Sequence, residues 1–142
     1  MAGLATGDYS AKHLEGELAI ERKDTGDLIG SLTGGRDRFG RELQRMLAHR
    51  TRYLMVIGEG RDPREAIRQH AYRSKTPPQV IFASIASVEA RGVPVRYFDH
   101  PTIAAAWIER LVWYSWRAAQ RRAGLRPPAM PDWIRNSLLS AP

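Results

Sequence analysis

The sequence contains no cysteine, which excludes disulfides, thiol chemistry and cysteine-ligated metals but leaves a hard, oxygen-ligated cation open. No apolar run approaches the roughly 20 residues that a membrane-spanning helix needs. The opening Met1–Thr6 lacks the layout of a signal peptide, so the expected location is cytoplasmic: the cytosol of a bacterium or of the host of a phage or mobile element, with use at the nucleoid. There is no internal repeat and no low-complexity tract. Lysine is scarce, with Lys12, Lys23 and Lys75 the only lysines among 22 basic residues. A chain that reaches for arginine wherever any cation will serve marks its lysines as places that need a compact ammonium, and Lys23 stands out on that ground. Acid is also in short supply: 15 Asp and Glu against 22 Lys and Arg give a net charge of +7. Such a balance favours a polyanionic partner, most commonly nucleic acid. The 142 residues suffice for one domain with a sizeable core.

The hydrophobic pattern predicts an α/β fold. Gly7–Lys12, a turn at His13–Gly16 and Glu17–Arg22 read as a β-hairpin, with Leu18 and Ile20 alternating with Ala19 and Glu21. Asp24 or Thr25 caps a helix carrying Leu28, Ile29 and Leu32, and Thr33-Gly34-Gly35 ends it. A second helix spans about Arg36–His49, with Phe39, Leu43, Met46 and Leu47 on one side. Tyr53–Ile57 is a continuous apolar run typical of a buried central strand. Pro63–Arg73 and Pro77–Arg91 read as helices, Val93–Phe98 as a strand, and Thr102–Ala123 as a long helix. The expected architecture is a mixed β-sheet flanked by α-helices over residues 1–123. Residues 124–142 form a proline-rich linker and a short helical tail that packs on the domain or on a partner.

Strand geometry singles out one constellation. Glu21 and Lys23 are two apart and therefore share a face. A turn centred between Leu14 and Glu15 would set Asp8 opposite Glu21, gathering two carboxylates and one ammonium. Carboxylates this close demand a cation, and oxygen ligands suit Mg²⁺, with Mn²⁺ as a substitute. Such a metal can polarise a phosphate and activate water, with an ammonium beside it to orient that water or offset developing charge. The bland alternative is an ordinary cross-strand salt bridge on a solvated hairpin.

Gly7-Asp8-Tyr9 followed by Glu21-Arg22-Lys23-Asp24-Thr25-Gly26-Asp27 resembles the signature G-D-x(n)-E-R-K-x(3)-D of the XPF family of structure-specific nucleases, which includes the archaeal Hef nucleases. Leu28–Leu32, Gly35-Arg36, the strand Tyr53–Ile57 and the segments Ile85–Val88 and Arg91–Val95 are similar as well, so the likeness runs over about Leu4–Arg122. It implies a restriction-endonuclease-like fold, a divalent-metal site and cleavage of branched or flapped DNA in repair or recombination, usually by a dimer. Asp8 and Glu21 carry over as metal ligands and Lys23 as the water-positioning cation. Arg22 and Asp27 are motif members, Arg22 with a strand-fixing salt bridge as its alternative role and Asp27 with a favourable helix first turn as its own. Relatives carry a D-x-R-E segment upstream; only six residues precede Gly7 and none matches, so an N-terminally short chain or a missing edge strand is expected. The competing function is a catalytically inactive DNA-binding or scaffold subunit. A sequence-specific restriction enzyme of the same fold is a third possibility.

Two further surfaces are legible. Arg36, Arg38, Arg41 and Arg45 are candidate DNA contacts, the last three continuing with His49 and Arg52 at three- and four-residue steps as a basic stripe; a solvated face is the alternative. The long helix is apolar on more than one side: Ile103, Trp107, Ile108, Leu111, Tyr114, Ser115 and Ala118 form one stripe, and Ala106, Trp113 and Trp116 a second. The extra face predicts a homodimer through the helix containing Trp107, Trp113 and Trp116, or packing of the tail with Trp133, Ile134 and Leu138.

Overall fold

The computed structural model describes residues 16–73, 75–130 and 132. Its elements run β1 (Leu18–Asp24), α1 (Thr25–Leu32), α2 (Arg36–Met46), β2 (Thr51–Ile57), α3 (Pro63–Arg73), α4 (Pro78–Ala90), β3 (Val95–Phe98) and α5 (Pro101–Arg122). The strands lie in the order β1-β2-β3 and both pairs are parallel. Parallel neighbours need long crossovers, supplied here by α1 with α2 and by α3 with α4. The sheet is thus parallel among the described residues. The strand expected at Gly7–Lys12, which would make it mixed, falls outside them.

Period-two alternation in β1 separates two cores; it does not separate core from solvent. Ala19 joins Leu54, Val56 and Val95 beneath Leu28, Ile29 and Leu32 of α1, Phe39, Leu43 and Met46 of α2, and Ile81, Ile85 and Val88 of α4. Leu18 and Ile20 join Met55 and Ile57 beneath Ala104 and Ile108 of α5. Leu18, Ala19 and Ile20 are all 0% exposed, as expected of a strand covered on both faces. Burial of Leu18 and of Ile20 contributes roughly 1.5–3 kcal/mol each, so the strand nearest the candidate site is also firmly anchored.

Local chemistry fixes the start of α1. Asp24 sits in extended backbone as the N-cap, its Oδ1 accepting the Asp27 N–H at 2.7 Å. At the other end, the Gly35 N–H donates to the Gly30 carbonyl at 2.9 Å, and a Cβ on Gly35 would stand only 3.2 Å from that oxygen. This tight passage lets α2 begin one residue later, pointing back across the sheet.

Two expectations are corrected. The second helix stops at Met46, so His49 and Arg52 do not extend its stripe. Arg52 is instead a clamp in β2, donating from Nε to the Gly92 carbonyl at 2.8 Å and from Nη1 to the His49 carbonyl at 2.9 Å. On α5, the sheet-facing side comprises Ala104, Trp107, Ile108, Leu111, Val112, Trp116 and Ala119. Trp107 sets its ring edge against Tyr53 at 5.0 Å between centroids. Trp116 therefore packs inward and not on a second face, whereas Tyr114 is 49% exposed and leaves the stripe assigned to it. Ala104 and Ile108 are the two residues of α5 that are buried against the sheet. The tail residues Trp133, Ile134 and Leu138 lie outside the described residues. No described helix is long and apolar enough to cross a membrane.

Candidate active site

Parallel α/β sheets offer ligand sites beyond the carboxyl ends of their strands. β1 brings Lys23 to that end, with Glu21 two residues back on the same face. In the parallel register Glu21 lies beside Leu54 and Lys23 beside Val56, so both project toward the face covered by α1–α4. Lys23 Nζ stands 3.4 Å from Glu21 Oε1. It also lies 3.9 Å from Glu42 Oε2 on α2, and 5.5 Å from the centroid of the Phe39 ring. The Glu21 side chain is 9% exposed and that of Lys23 16%. Shielding of this degree decides how the pair behaves. An exposed pair would contribute about 0–1 kcal/mol, whereas removing one partner of a shielded pair strands the other charge at much greater cost.

Glu42 was not singled out from the sequence. Its Oε1 meets Arg38 Nε at 3.6 Å while Oε2 faces Lys23. The signal was its spacing: Glu42 follows Phe39 by three and precedes Leu43 by one, which places a carboxylate on the inward edge of the apolar stripe. A cleft of about 360 Å³ opens beside these groups, lined by Lys23, Asp27, Arg38 and Glu42 and by the backbone of Gly26, Gly30 and Gly35. A second cleft, of about 320 Å³, lies across the start of α1 between Asp24, Asp27, Glu59, Arg61 and His70. The two share Gly26 and Asp27, so together they form a trough over the amino end of α1.

The structure brings Glu21 and Lys23 together. Asp8 lies outside the described residues. Arg22 is exposed and pairs in register with Met55, a residue of the α5-side core, which puts it on the opposite face from Glu21. Asp27 is the acidic first-turn residue of α1 and lines both clefts. Arg36, Arg38, Arg41 and Arg45 are all exposed on α2. Arg38 lines the cleft of Lys23, while Arg36 lines a separate crevice with Ser84, Ser87 and Arg91.

Among the described residues no group of three or more His, Cys, Asp or Glu side chains is gathered closely enough to hold a metal ion. The two carboxylates nearest Lys23 are nonetheless donors of the kind that a hard divalent cation takes. Glu21, 3.4 Å from Lys23, offers carboxylate oxygens, whereas Glu42 Oε2 is buried without a hydrogen-bond partner, 3.9 Å from the same ammonium.

Sheet, crossover helices and the clefts at the start of α1 together define a parallel α/β domain. The family model that matches is that of the ERCC4 domain, over residues 2–111, and the chain belongs to that family, the XPF-type nuclease domains. Its structure is similar to that of XPF from Aeropyrum pernix in complex with DNA, with a TM-score of 0.61 and 22% identity over 82% of this chain. It is also similar to XPF from Aeropyrum pernix in a second structure, with a TM-score of 0.58 and 24% identity over 85% of this chain. The chain spans about half the length of both, 52% and 53%. No curated protein matches it.

Proposed function

We propose that the domain is a Mg²⁺-dependent endonuclease that hydrolyses phosphodiester bonds in branched or flapped DNA. The observation that carries this reading is the 3.4 Å approach of Lys23 to Glu21, two members of the family signature on one face of β1. Glu21, with Asp8, would hold the cation. When bound, Mg²⁺ or Mn²⁺ supplies Lewis acidity toward the scissile phosphate and lowers the pKa of a coordinated water.

The chain's own residues do the rest. Lys23 presents an ammonium at the cleft wall, where it orients the attacking water and offsets charge that builds on the phosphate. Arg38, which lines the same cleft, would contact a phosphate next to the cut. Arg36, Arg41 and Arg45 extend a sequence-independent electrostatic track along α2. Asp27 orients water at the junction of the two clefts. Arg22, on the far face of β1, fixes the strand. Two copies pairing across α5 would use its side at Tyr114, which is exposed, since Trp107 and Trp116 are engaged with the sheet.

The test is a panel of flaps, forks, four-way junctions, single strands and plain duplex, incubated with Mg²⁺ or Mn²⁺. Cleavage of branched substrates by the wild type, lost in Asp8→Ala and Lys23→Ala while the fold survives, is the expected result. If every substrate stays intact, the enzymatic reading fails and a DNA-binding scaffold replaces it. Cutting of plain duplex at one fixed sequence would instead make it a restriction enzyme.

A further inference from the structure

The ammonium of Lys23 stands between two carboxylates, and the reaction proposed above leaves only one of them free to keep it. The nearer, Glu21, at 3.4 Å, is the residue that would turn its oxygens to a divalent cation. The farther, Glu42, at 3.9 Å, belongs to α2 and lies outside the family signature. Its Oε2 is shut off from solvent and receives no hydrogen bond. A buried oxygen in that condition is a liability unless a donor reaches it in another state of the site. The obvious donor is Lys23, whose approach stops just short of hydrogen-bond distance while Glu21 shares it.

We propose that Glu42 is a positioning residue that takes over Lys23 when a cation engages Glu21; the inference rests on the endonuclease reading. With its oxygens turned to a divalent cation, Glu21 would no longer hold Lys23, whose ammonium would also be repelled along the same strand face. Without a second anion the lysine side chain swings away from the cleft. Glu42 holds it there. The carboxylate is well supported for this, because Phe39, Leu43 and Met46 fix α2 in the core on either side of it. Its other oxygen faces Arg38 at 3.6 Å, so one side chain sets both cations that line the cleft. The Phe39 ring, 5.5 Å from Lys23 Nζ, forms an apolar floor with a negative face that favours the same ammonium position.

The experiment compares wild type, Glu42→Gln, Glu42→Asp and Glu21→Gln in the full chain. Mn²⁺ affinity is measured by titration. Lysine side-chain signals are followed by NMR during a Mg²⁺ titration; with only Lys12, Lys23 and Lys75 to label, Lys23 is assigned by Lys23→Arg. Turnover is measured on a cleaved substrate. In Glu42→Gln we expect Mn²⁺ affinity within about 3-fold of wild type but kcat down about 10–100-fold at little-changed KM. The Lys23 signal, ordered in Mg²⁺-loaded wild type, becomes motionally averaged in loaded Glu42→Gln, and Glu42→Asp, which keeps the charge, restores part of both. Glu21→Gln loses metal binding. Unchanged kcat and an unchanged Lys23 signal in Glu42→Gln overturn the inference while leaving the nuclease reading intact. A loss of Mn²⁺ affinity beyond about 10-fold in Glu42→Gln also overturns it, making Glu42 a ligand. A wild type that neither binds Mn²⁺ nor cuts overturns the nuclease reading itself.

Discussion

Asp24 Oδ1 accepts the backbone N–H of Asp27 at 2.7 Å, so the acidic pair flanking Thr25 and Gly26 divides its work. Asp24 closes the open end of α1, which leaves the Asp27 carboxylate to face the two clefts that meet there. Asp24→Ala should therefore cost about 0.5–2 kcal/mol of folding stability through loss of the cap. Asp27→Asn should shift stability by less than about 0.5 kcal/mol while lowering metal-dependent cleavage. Chemical denaturation beside a cleavage assay checks both. Equal losses of stability in the two variants would return Asp27 to a purely helical role.

Removal of the ammonium should be felt twice. Lys23→Ala is expected to lower cleavage by about 100-fold or more, in the range of a positioned proton-transfer or electrostatic group. It should also destabilise the fold in metal-free buffer by about 1–3 kcal/mol, because the shielded Glu21 carboxylate loses a cation. Mg²⁺ should recover part of that stability, since a ligand that binds only the folded state raises its apparent stability. Thermal melts with and without Mg²⁺ test this, and Glu21→Gln should show no Mg²⁺ response.

The arginines of α2 are expected to act through phosphates. Each that engages one should contribute about 0.9 to the slope of log K against log salt on duplex DNA. Arg38→Ala, Arg41→Ala and Arg45→Ala, tested singly by fluorescence anisotropy across a salt series, should each flatten the slope by up to about that amount and weaken all sequences alike. An unaltered slope in all three would reduce the stripe to a solvated face.

Gly58 closes the carboxyl end of β2, its N–H donating to the Phe98 carbonyl at 2.8 Å. A Cβ there would collide with the Arg61 carbonyl and stand 3.2 Å from that of Asp99, both backbone groups with nowhere to go. Gly58→Ala should therefore lose about 1–3 kcal/mol, the range of an overpacked site. Gly30→Ala, where a Cβ meets nothing within 4 Å, is the control and should be neutral or better. Urea midpoints decide.

Much of this was legible in residue order because the relevant rules are local. Glu21 and Lys23 share a face through the period of the strand, and the Asp24 cap and the helices after it follow from capping and apolar spacing. Three things were not local. The role of Glu42 arises only when α2 crosses over β1, so nothing near it in sequence announces Lys23. The rotation of α5 could not be chosen by periodicity, because Trp107, Trp113, Tyr114 and Trp116 make most of its circumference apolar. The extent of the basic stripe failed where α2 ended at Met46 and Arg52 found two carbonyls to hold.

Coverage of the sheet is uneven: four helices protect the side bearing Glu21 and Lys23, whereas α5 is the one helix over Leu18, Ile20, Met55 and Ile57 among the described residues. Partial opening should therefore begin by shedding α5, with fastest amide exchange along that helix and the chemistry wall still in place. The species so released would bare a sticky aliphatic strip while Glu21 and Lys23 keep their helical cover. Substitutions along α5 should accordingly govern aggregation and storage lifetime more than turnover.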